Sequence, residues 1–572
     1  MNNTSLSYSK GSTELPLVDS TIGDLLDEVA RRYPDNEALV SVHQGLRYSY
    51  REFLEQVDRC ARALLAIGLG KGDRIGIWSP NYAEWTILQF GSCKVGAILV
   101  NINPNYRLNE LEYALTQSGC SALVIAEKFK TSDYTRMMRE LAPEIDLSTP
   151  GALMAKRLPG LRTVIRLGKQ SVAGMWRWDD FMDLSNRVGA GQLAQRQREL
   201  SPQDAINIQY TSGTTGRPKG ATLSHINILN NGHFVAELMN LGNQDRLVIP
   251  VPLYHCFGMV MGNLACVSHG ATMILPCDAF EPGAVLQAVQ DERATALHGV
   301  PTMFIAELAH PDFAQFNLST LRTGIMAGSP CPVEVMNAAI ARMNLREIQI
   351  AYGMTETSPV STQTRADAPV EKRVGTVGQA HPHVEIKIID PASGTTVERG
   401  TSGEFCTRGY SVMLGYWNNE EQTRQAIDAD GWMHTGDLAT MDSEGYARIV
   451  GRIKDMIIRG GENVYPREIE EFLYSHPKIR DVQVIGVPDA KFGEEVMAWV
   501  MLCDSVTATA DEIREFCRGQ ISHYKVPRYV KFVQEFPMTV TGKVQKFAMR
   551  EQSIRELQQQ ATTTVPGVDP LR

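Results

Sequence analysis

Short apolar runs alternate with amphipathic stretches along most of this chain. In "SYREFLEQVDRCARALLAIGLG" the residues Phe53, Val57, Cys60, Ala61, Leu64 and Leu65 recur at helical spacing, which makes one helix face apolar. Ser49 and Glu52 stand at the spacing of a capping box, where a hydroxyl and a carboxylate satisfy the first backbone N–H groups. The next run, "RIGIWS", is short and stops at Pro80, which predicts a strand. "AEWTILQFGSCKVG" then predicts a helix and "AILVNIN" another strand. The same alternation continues through "ALVIAE", "DRLVIPVP", "ATMILP", "ATALHGVP" and "EIQIAYG". Apolar strands alternating with helices imply βαβ units and mostly parallel sheets covered on both faces.

Beyond Pro382 the pattern changes. "VEIKIIDPASGTTVERGTSGEFCTRG" alternates apolar and polar residues between turn clusters, which predicts a small antiparallel β unit. After "YARIVGRIKDMIIRGGENVYP" come a helix, "PREIEEFLYSH", two strands, "DVQVIGVP" and "VMAWVMLC", and a helix, "ADEIREFCRGQIS". This α+β segment can pack as its own domain. The charged stretch Arg452 to Asp455 marks the boundary, giving domains of residues 1–453 and 454–572.

Composition narrows the classes. The chain has 572 residues, 43% hydrophobic and 21% charged, enough apolar material for large cores. A formal net charge of −9 opposes nucleic-acid binding, which needs a basic footprint. The 10 cysteines form no C-x-x-C pair, so zinc and redox motifs of that kind find no support. They read as reduced thiols filling cores in a cytoplasmic protein. No apolar run approaches the ~20 residues of a membrane helix, and the polar start lacks a signal or transit pattern. The sequence leaves the oligomeric state open, a homodimer included.

One stretch concentrates candidate chemistry: "YTSGTTGRPKG", Tyr210 to Gly220, after the strand candidate "AINIQY". Taken alone, a Ser/Thr/Gly run is an ordinary turn composition. Yet glycines let backbone N–H groups approach a polyphosphate, hydroxyls add donors, and a lysine adds charge. A P-loop would need Gly-Lys-Ser/Thr after its fourth spacer residue; here Pro218 precedes Lys219 and Gly220 follows it.

This stretch resembles the phosphate-loop signature of the adenylate-forming superfamily, which includes acyl-CoA synthetases, adenylation domains and firefly luciferase. Further segments match that family in its order: "MAGSPCP", "YGMTETSP", "GEFCTRGYSVMLGYW", "GWMHTGD", "GRIKDMIIRGGENVYPREIE" and "MTVTGKVQK". The resemblance implies an α/β fold: a large N-terminal domain of two doubly wound sheets plus a small β-barrel-like unit, with a smaller mobile α+β C-terminal domain. It also implies a two-step reaction. A carboxylic acid attacks the α-phosphate of ATP to give acyl-AMP and pyrophosphate, and the thiol of coenzyme A then displaces AMP. An acid already ionised at neutral pH needs alignment and charge neutralisation rather than a general base.

Residue by residue, the resemblance assigns the β- and γ-phosphates to Thr211, Ser212, Gly213, Thr214, Thr215, Gly216 and Lys219. It assigns Mg2+ to Glu356 with Thr211, and an α-phosphate contact to Thr355. Gly328, Ser329 and Pro330 would wall the adenine, and Tyr352, followed by Gly353, would stack on it. Asp437 would bind the ribose hydroxyls with help from Arg452. Lys543 resembles the lysine that reaches the reacting carboxylate, although Val540 stands where the family has a small residue or proline. Lys454 matches the hinge about which the small domain rotates, exchanging Lys543 for the loop that holds Gly461, past which the CoA arm would enter. Arg514, Arg518, Lys525, Arg528 and Lys531 are expected either to meet CoA phosphates or to form a solvated basic face.

His255 resembles the aromatic gate of the acyl site. Phe257 to Met261, "HGVPTMF" and Met326 to Gly328 are the expected walls, with Gly258 and Gly353 keeping a tunnel open. No charge stands ready to pair with an ammonium or second carboxylate. "PLYHCFG" and "NINPNYRLNELEYAL" resemble medium- to long-chain fatty acyl-CoA synthetases, which favours a medium-chain or branched aliphatic acid. An aryl- or short-chain acid:CoA ligase, an acyl-AMP ligase loading a carrier protein and a non-catalytic nucleotide or acyl-CoA binder remain as alternatives.

Overall fold

The computed structural model describes residues 5–211, 218–460, 462–489, 491–538 and 544–563. The chain forms two compact units: Tyr8–Lys387 with Cys406–Thr435, and a smaller one from 5–7, Ile388–Phe405 and the described residues from Gly436 onward.

In the large unit the predicted helix over "YREFLEQVDRCARALLA" runs Tyr50–Ala66 and starts in the expected Ser49/Glu52 capping box. Phe53, Val57, Cys60, Ala61 and Leu64 are fully buried along its inner face. The next helix, Ala83–Val95, is buried nearly all round, as a helix covered on both sides must be, and stops at left-handed Gly96.

Two large sheets dominate this unit. An eight-stranded sheet has Arg74–Trp78, Ile98–Asn101 and Ala205–Thr211 as parallel neighbours near its centre. It ends in antiparallel pairings through Lys219–Ser224 to Gly415–Tyr416. A nine-stranded sheet carries the parallel series Arg246–Val248, Ala296–Gly299, Thr323–Ala327 and Glu347–Gly353. Its central strands are buried along most of their length because both faces are covered, with His298 and Gln349 among the buried residues. The two sheets share one apolar core with the helices around Tyr50 and Trp85.

The predicted antiparallel strands beyond Pro382 are present. In the large unit Val384–Ile389 pairs with Tyr8–Lys10, and in the smaller unit Met433–Met441 pairs with Ala447–Arg452 from Asp437 onward. The rest of the smaller unit is the expected α+β arrangement. Ile479–Asp489 and Gly493–Leu502 form a long hairpin with Ile457–Arg459 and Tyr529–Phe532 on its other edge. The helices Pro466–Tyr474 and Ala510–Cys517 bury Ile469, Leu473, Ile513 and Cys517 against the same core.

Candidate active site

Thr211 ends the strand Ala205–Thr211, and Lys219 begins the antiparallel strand directly opposite it. Backbone pairing thus fixes the two residues that flank the central part of the glycine-rich stretch. Ser212, Gly213, Thr214, Thr215 and Gly216 lie outside the described residues.

Glu356 sits in the short 3-10 turn Thr355–Thr357, which follows the strand Glu347–Gly353. The residue is 4% exposed. Oε1 accepts hydrogen bonds from Thr211 Oγ1 at 3.2 Å and from the Tyr416 hydroxyl at 2.8 Å. Among the described residues no cation is paired with it. Lys219 Nζ instead lies 4.9 Å from the centroid of the Tyr416 ring. Burial, reinforced by the neighbouring carboxylate, pushes the Tyr416 phenol well up, so it remains a donor at neutral pH. A buried carboxylate held by two neutral hydroxyls is short of the positive charge that normally accompanies such a group. That donor set suits a hard divalent cation shared with phosphates.

Neighbouring parallel strands bring the other expected residues to one edge of the nine-stranded sheet. Thr323–Ala327 pairs with Glu347–Gly353, Ala327 lying opposite Ala351. Gly328, Ser329 and Pro330 therefore leave the carboxyl end of one strand beside Tyr352 and Gly353 at the end of the next. Gly328 turns at φ +90°, a backbone region that disfavours side chains. Open α/β sheets present ligands at this edge. Thr355 follows within the Glu356 turn.

The tunnel reading of two glycines is corrected by the backbone around them. A Cβ on Gly353 would lie 1.8 Å from the Pro359 carbonyl oxygen, and one on Gly258 2.5 Å from that of Pro252. Both positions are glycine because another backbone segment passes close by; neither hydrogen holds a channel open.

His255 precedes the short helix Cys256–Gly258, with the Tyr254 ring 4.1 Å away. The expected apolar wall from Met259 continues as a π-helix, Met259–Leu264. Such widened turns need side-chain support, and amides supply it. Gln89 donates to the Met259 carbonyl at 3.1 Å, while Asn101 and Gln209 each donate to the Met259 sulfur at 3.2 Å. Asn81 and Asn101 also bond the backbone of Val251, Leu253 and Tyr254. The backbone N–H of Ile325 donates to His298 Nδ1 at 3.3 Å, which leaves Nε2–H to donate to the Met261 carbonyl at 3.0 Å. Burial lowers the His298 pKa to about 4, so it is a neutral brace.

Sequence reasoning gave Tyr416 no role, although it stands inside a matched segment. It also passed over the amides, whose signal was present: Asn101 and Gln209 interrupt otherwise apolar strands. It missed Glu307 as well. This carboxyl, on the helix Pro301–Leu308, is 1% exposed with no hydrogen-bond partner for either oxygen among the described residues. Burial pushes its pKa well above the carboxylate range.

In the smaller unit Asp437 and Arg452 face each other across an antiparallel pair, and Arg452 Nε donates to Asp437 Oδ1 at 2.9 Å. The aspartate is largely buried and the arginine exposed, which orients the carboxylate. Gly461 and Lys543 lie outside the described residues. The expected basic face looks different in three dimensions. Arg514 meets Asp511, Arg518 meets Glu515, Lys525 meets Glu468, Arg528 meets Asp489 and Lys531 meets Glu556, at 2.5–3.0 Å. Each cation is matched by a carboxylate, which removes the unbalanced positive patch expected from the sequence.

Comparison with known proteins places this geometry. The model of the AMP-binding enzyme family matches residues 26–417, and that of the AMP-binding enzyme C-terminal domain matches 468–543. The chain belongs to the AMP-binding enzyme family and is an adenylate-forming enzyme. The YngI protein of Bacillus subtilis (strain 168) is 52% identical over 94% of this chain and 98% of its own length. The mitochondrial medium-chain acyl-CoA ligase ACSF2 of Bos taurus is 46% identical over 96% of this chain and 90% of its own. Among solved structures, the anthranilate CoA ligase AuaEII in complex with anthranoyl-AMP aligns with a TM-score of 0.84 at 26% identity, covering 96% of this chain and 99% of that one. ATP-bound MatB from Rhodopseudomonas palustris aligns at 0.79 and 29% identity, covering 93% and 99%. Among the described residues no helix is long and apolar enough to cross a membrane.

Proposed function

We propose that this chain is an AMP-forming, Mg2+-dependent acyl-CoA ligase that activates a medium-chain aliphatic acid and works in the cytoplasm. The observation carrying the reading is the Glu356 carboxylate, buried among hydroxyls beside the Thr211–Lys219 hairpin. Glu356 and Thr211 would hold magnesium, which neutralises phosphate charge when bound. Thr211, Lys219 and the residues between them bind the β- and γ-phosphates, and Thr355 contacts the α-phosphate. Gly328, Ser329, Pro330 and Tyr352 hold the adenine, while Asp437, oriented by Arg452, holds the ribose.

For the acid, His255 and the π-helical wall present an apolar lining braced from behind by amides. The brace hydrogen bonds fix where the wall stands without putting charge into it. The ACSF2 likeness supports medium chain length. In the first step Lys543 supplies positive charge as the acid carboxylate attacks the α-phosphate and pyrophosphate leaves. In the second, residues 454–572 turn about Lys454, Gly461 replaces Lys543, and the CoA thiol displaces AMP.

The test is pyrophosphate release with ATP and Mg2+ across straight-chain acids from acetate to palmitate, with and without CoA. A maximum at medium length with CoA-dependent AMP turnover is expected. Release indifferent to CoA would replace the ligase with an acyl-AMP ligase, and no release with any acid would overturn the reading.

A further inference from the structure

Away from the phosphate hairpin, three side chains of the large unit gather their ligating atoms. His233 and Glu237 lie one turn apart on the helix His225–Leu238, and His269 ends the helix Ala265–His269. One donor atom from each of the three lies within 4.8 Å of the other two. His269 Nε2 is 3.2 Å, and His233 Nε2 3.8 Å, from the same oxygen, Glu237 Oε1. The two imidazoles stack with centroids 5.0 Å apart. Ligand atoms held at zinc distances in a tetrahedron are about 3.3 Å from each other, a value these two separations bracket.

The surroundings of His269 point the same way. Ser268 Oγ lies 3.0 Å from the Ala265 carbonyl oxygen and 2.8 Å from His269 Nδ1, which fixes the ring and leaves Nε2 facing Glu237 Oε1 at 3.2 Å. An imidazole fixed through its other nitrogen is also the outer-shell arrangement that orients metal-binding histidines. The side chains of His233, Glu237 and His269 retain 19%, 36% and 13% of their exposure, so an ion can reach them.

We propose that His233, Glu237 and His269 form a structural site for a divalent transition ion of the zinc class, with solvent completing the coordination. The sequence hid it, because 31 residues separate Glu237 from His269. Its position gives the ion a task. The helix His225–Leu238 follows the strand that begins at Lys219, and its Asn231 holds the backbone of Val360, just beyond the Glu356 turn. Asn227 on the same helix bonds the Tyr410 and Val412 carbonyls. A metal joining this helix to Ala265–His269 would stiffen the platform beneath the magnesium carboxylate.

The full-length protein, stripped with a chelator and dialysed, is titrated with Zn2+ by calorimetry and with Co2+ by visible absorption. One zinc per chain, the visible bands of tetrahedral Co2+, and a Tm that rises on zinc addition are expected. Glu356→Gln should leave this binding intact, which separates it from the magnesium site. His269→Gln and His233→Gln should each weaken zinc binding at least tenfold, and either one suffices if the other fails to fold. Wild-type zinc affinity and Co2+ spectrum in both folded variants would overturn the proposal, as would wild-type protein that takes up no zinc at micromolar concentration.

Discussion

Around Glu356 a buried carboxylate meets two hydroxyls and no cation among the described residues, whereas along residues 514–531 of the smaller unit five cations each meet a carboxylate. Both regions drew attention in the sequence for the same reason, charge placed within matched or unusual segments. Their surroundings separate them. Removing a carboxylate from water is costly unless something compensates, so the Glu356 arrangement makes sense with a cation supplied from outside. Exposed ion pairs are worth little individually but cancel the local field, so the basic segment offers an incoming phosphate little net attraction.

The sharpest way to break this contrast is Glu356→Gln. The amide keeps the shape and the hydrogen bonds from Thr211 and Tyr416 can rearrange, but the charge is gone. Pyrophosphate release should fall about 100-fold or more, in line with loss of a preorganised electrostatic group. Far-ultraviolet circular dichroism and Tm should stay close to wild type. A variant that retained more than half its activity would mean Glu356 holds no catalytic cation.

Tyr416→Phe probes the same carboxylate more gently. It removes the 2.8 Å hydrogen bond while leaving an aromatic face for Lys219. A hydrogen bond to a charged group contributes about 1.5 kcal/mol or more, so activity should drop roughly tenfold, with the Mg2+ dependence shifted to higher concentration. An unchanged magnesium titration would assign Tyr416 to packing alone.

Glu307 supplies a carboxyl buried even more deeply and, among the described residues, without either kind of partner. Its folded pKa lies above the ordinary value of 4.5. The unfolded chain loses this proton near 4.5 and the folded one keeps it to higher pH, so between those two values folding takes up a proton and stability falls as pH rises. Glu307→Gln removes that dependence. Its Tm relative to wild type should therefore be more favourable at pH 8 than at pH 5. An equal difference at both values would mean the carboxyl is ionised in the folded protein.

What the sequence disclosed follows from where each signal resides. The Ser49/Glu52 cap, the helical face through Phe53 and Val57, and the strand candidates are local patterns, and they are found where expected. The ordered segments also marked the Thr211–Lys219 hairpin and the Glu356 turn. Pairings in space have no such local signature. Nothing near Lys525 in the chain announces Glu468, and nothing near Met259 announces Asn101. The glycines at 258 and 353 illustrate the same limit, since the carbonyls that exclude a side chain come from the turns of Pro252 and Pro359.

The smallest expected effect tests the other half of the contrast. Replacing Lys525 and Arg528 by alanine removes two of the five cations, but it also frees Glu468 and Asp489, which those cations neutralise. If the segment were a phosphate-binding patch, the CoA KM would climb several-fold and climb further at low salt, because unscreened attraction would be lost. With the cations already balanced, the KM for CoA should change by less than about twofold, the weak worth of exposed pairs. The KM for ATP serves as the internal control. A selective, salt-dependent rise in the CoA value alone would restore the segment as a binding face and show that its carboxylates yield to phosphate.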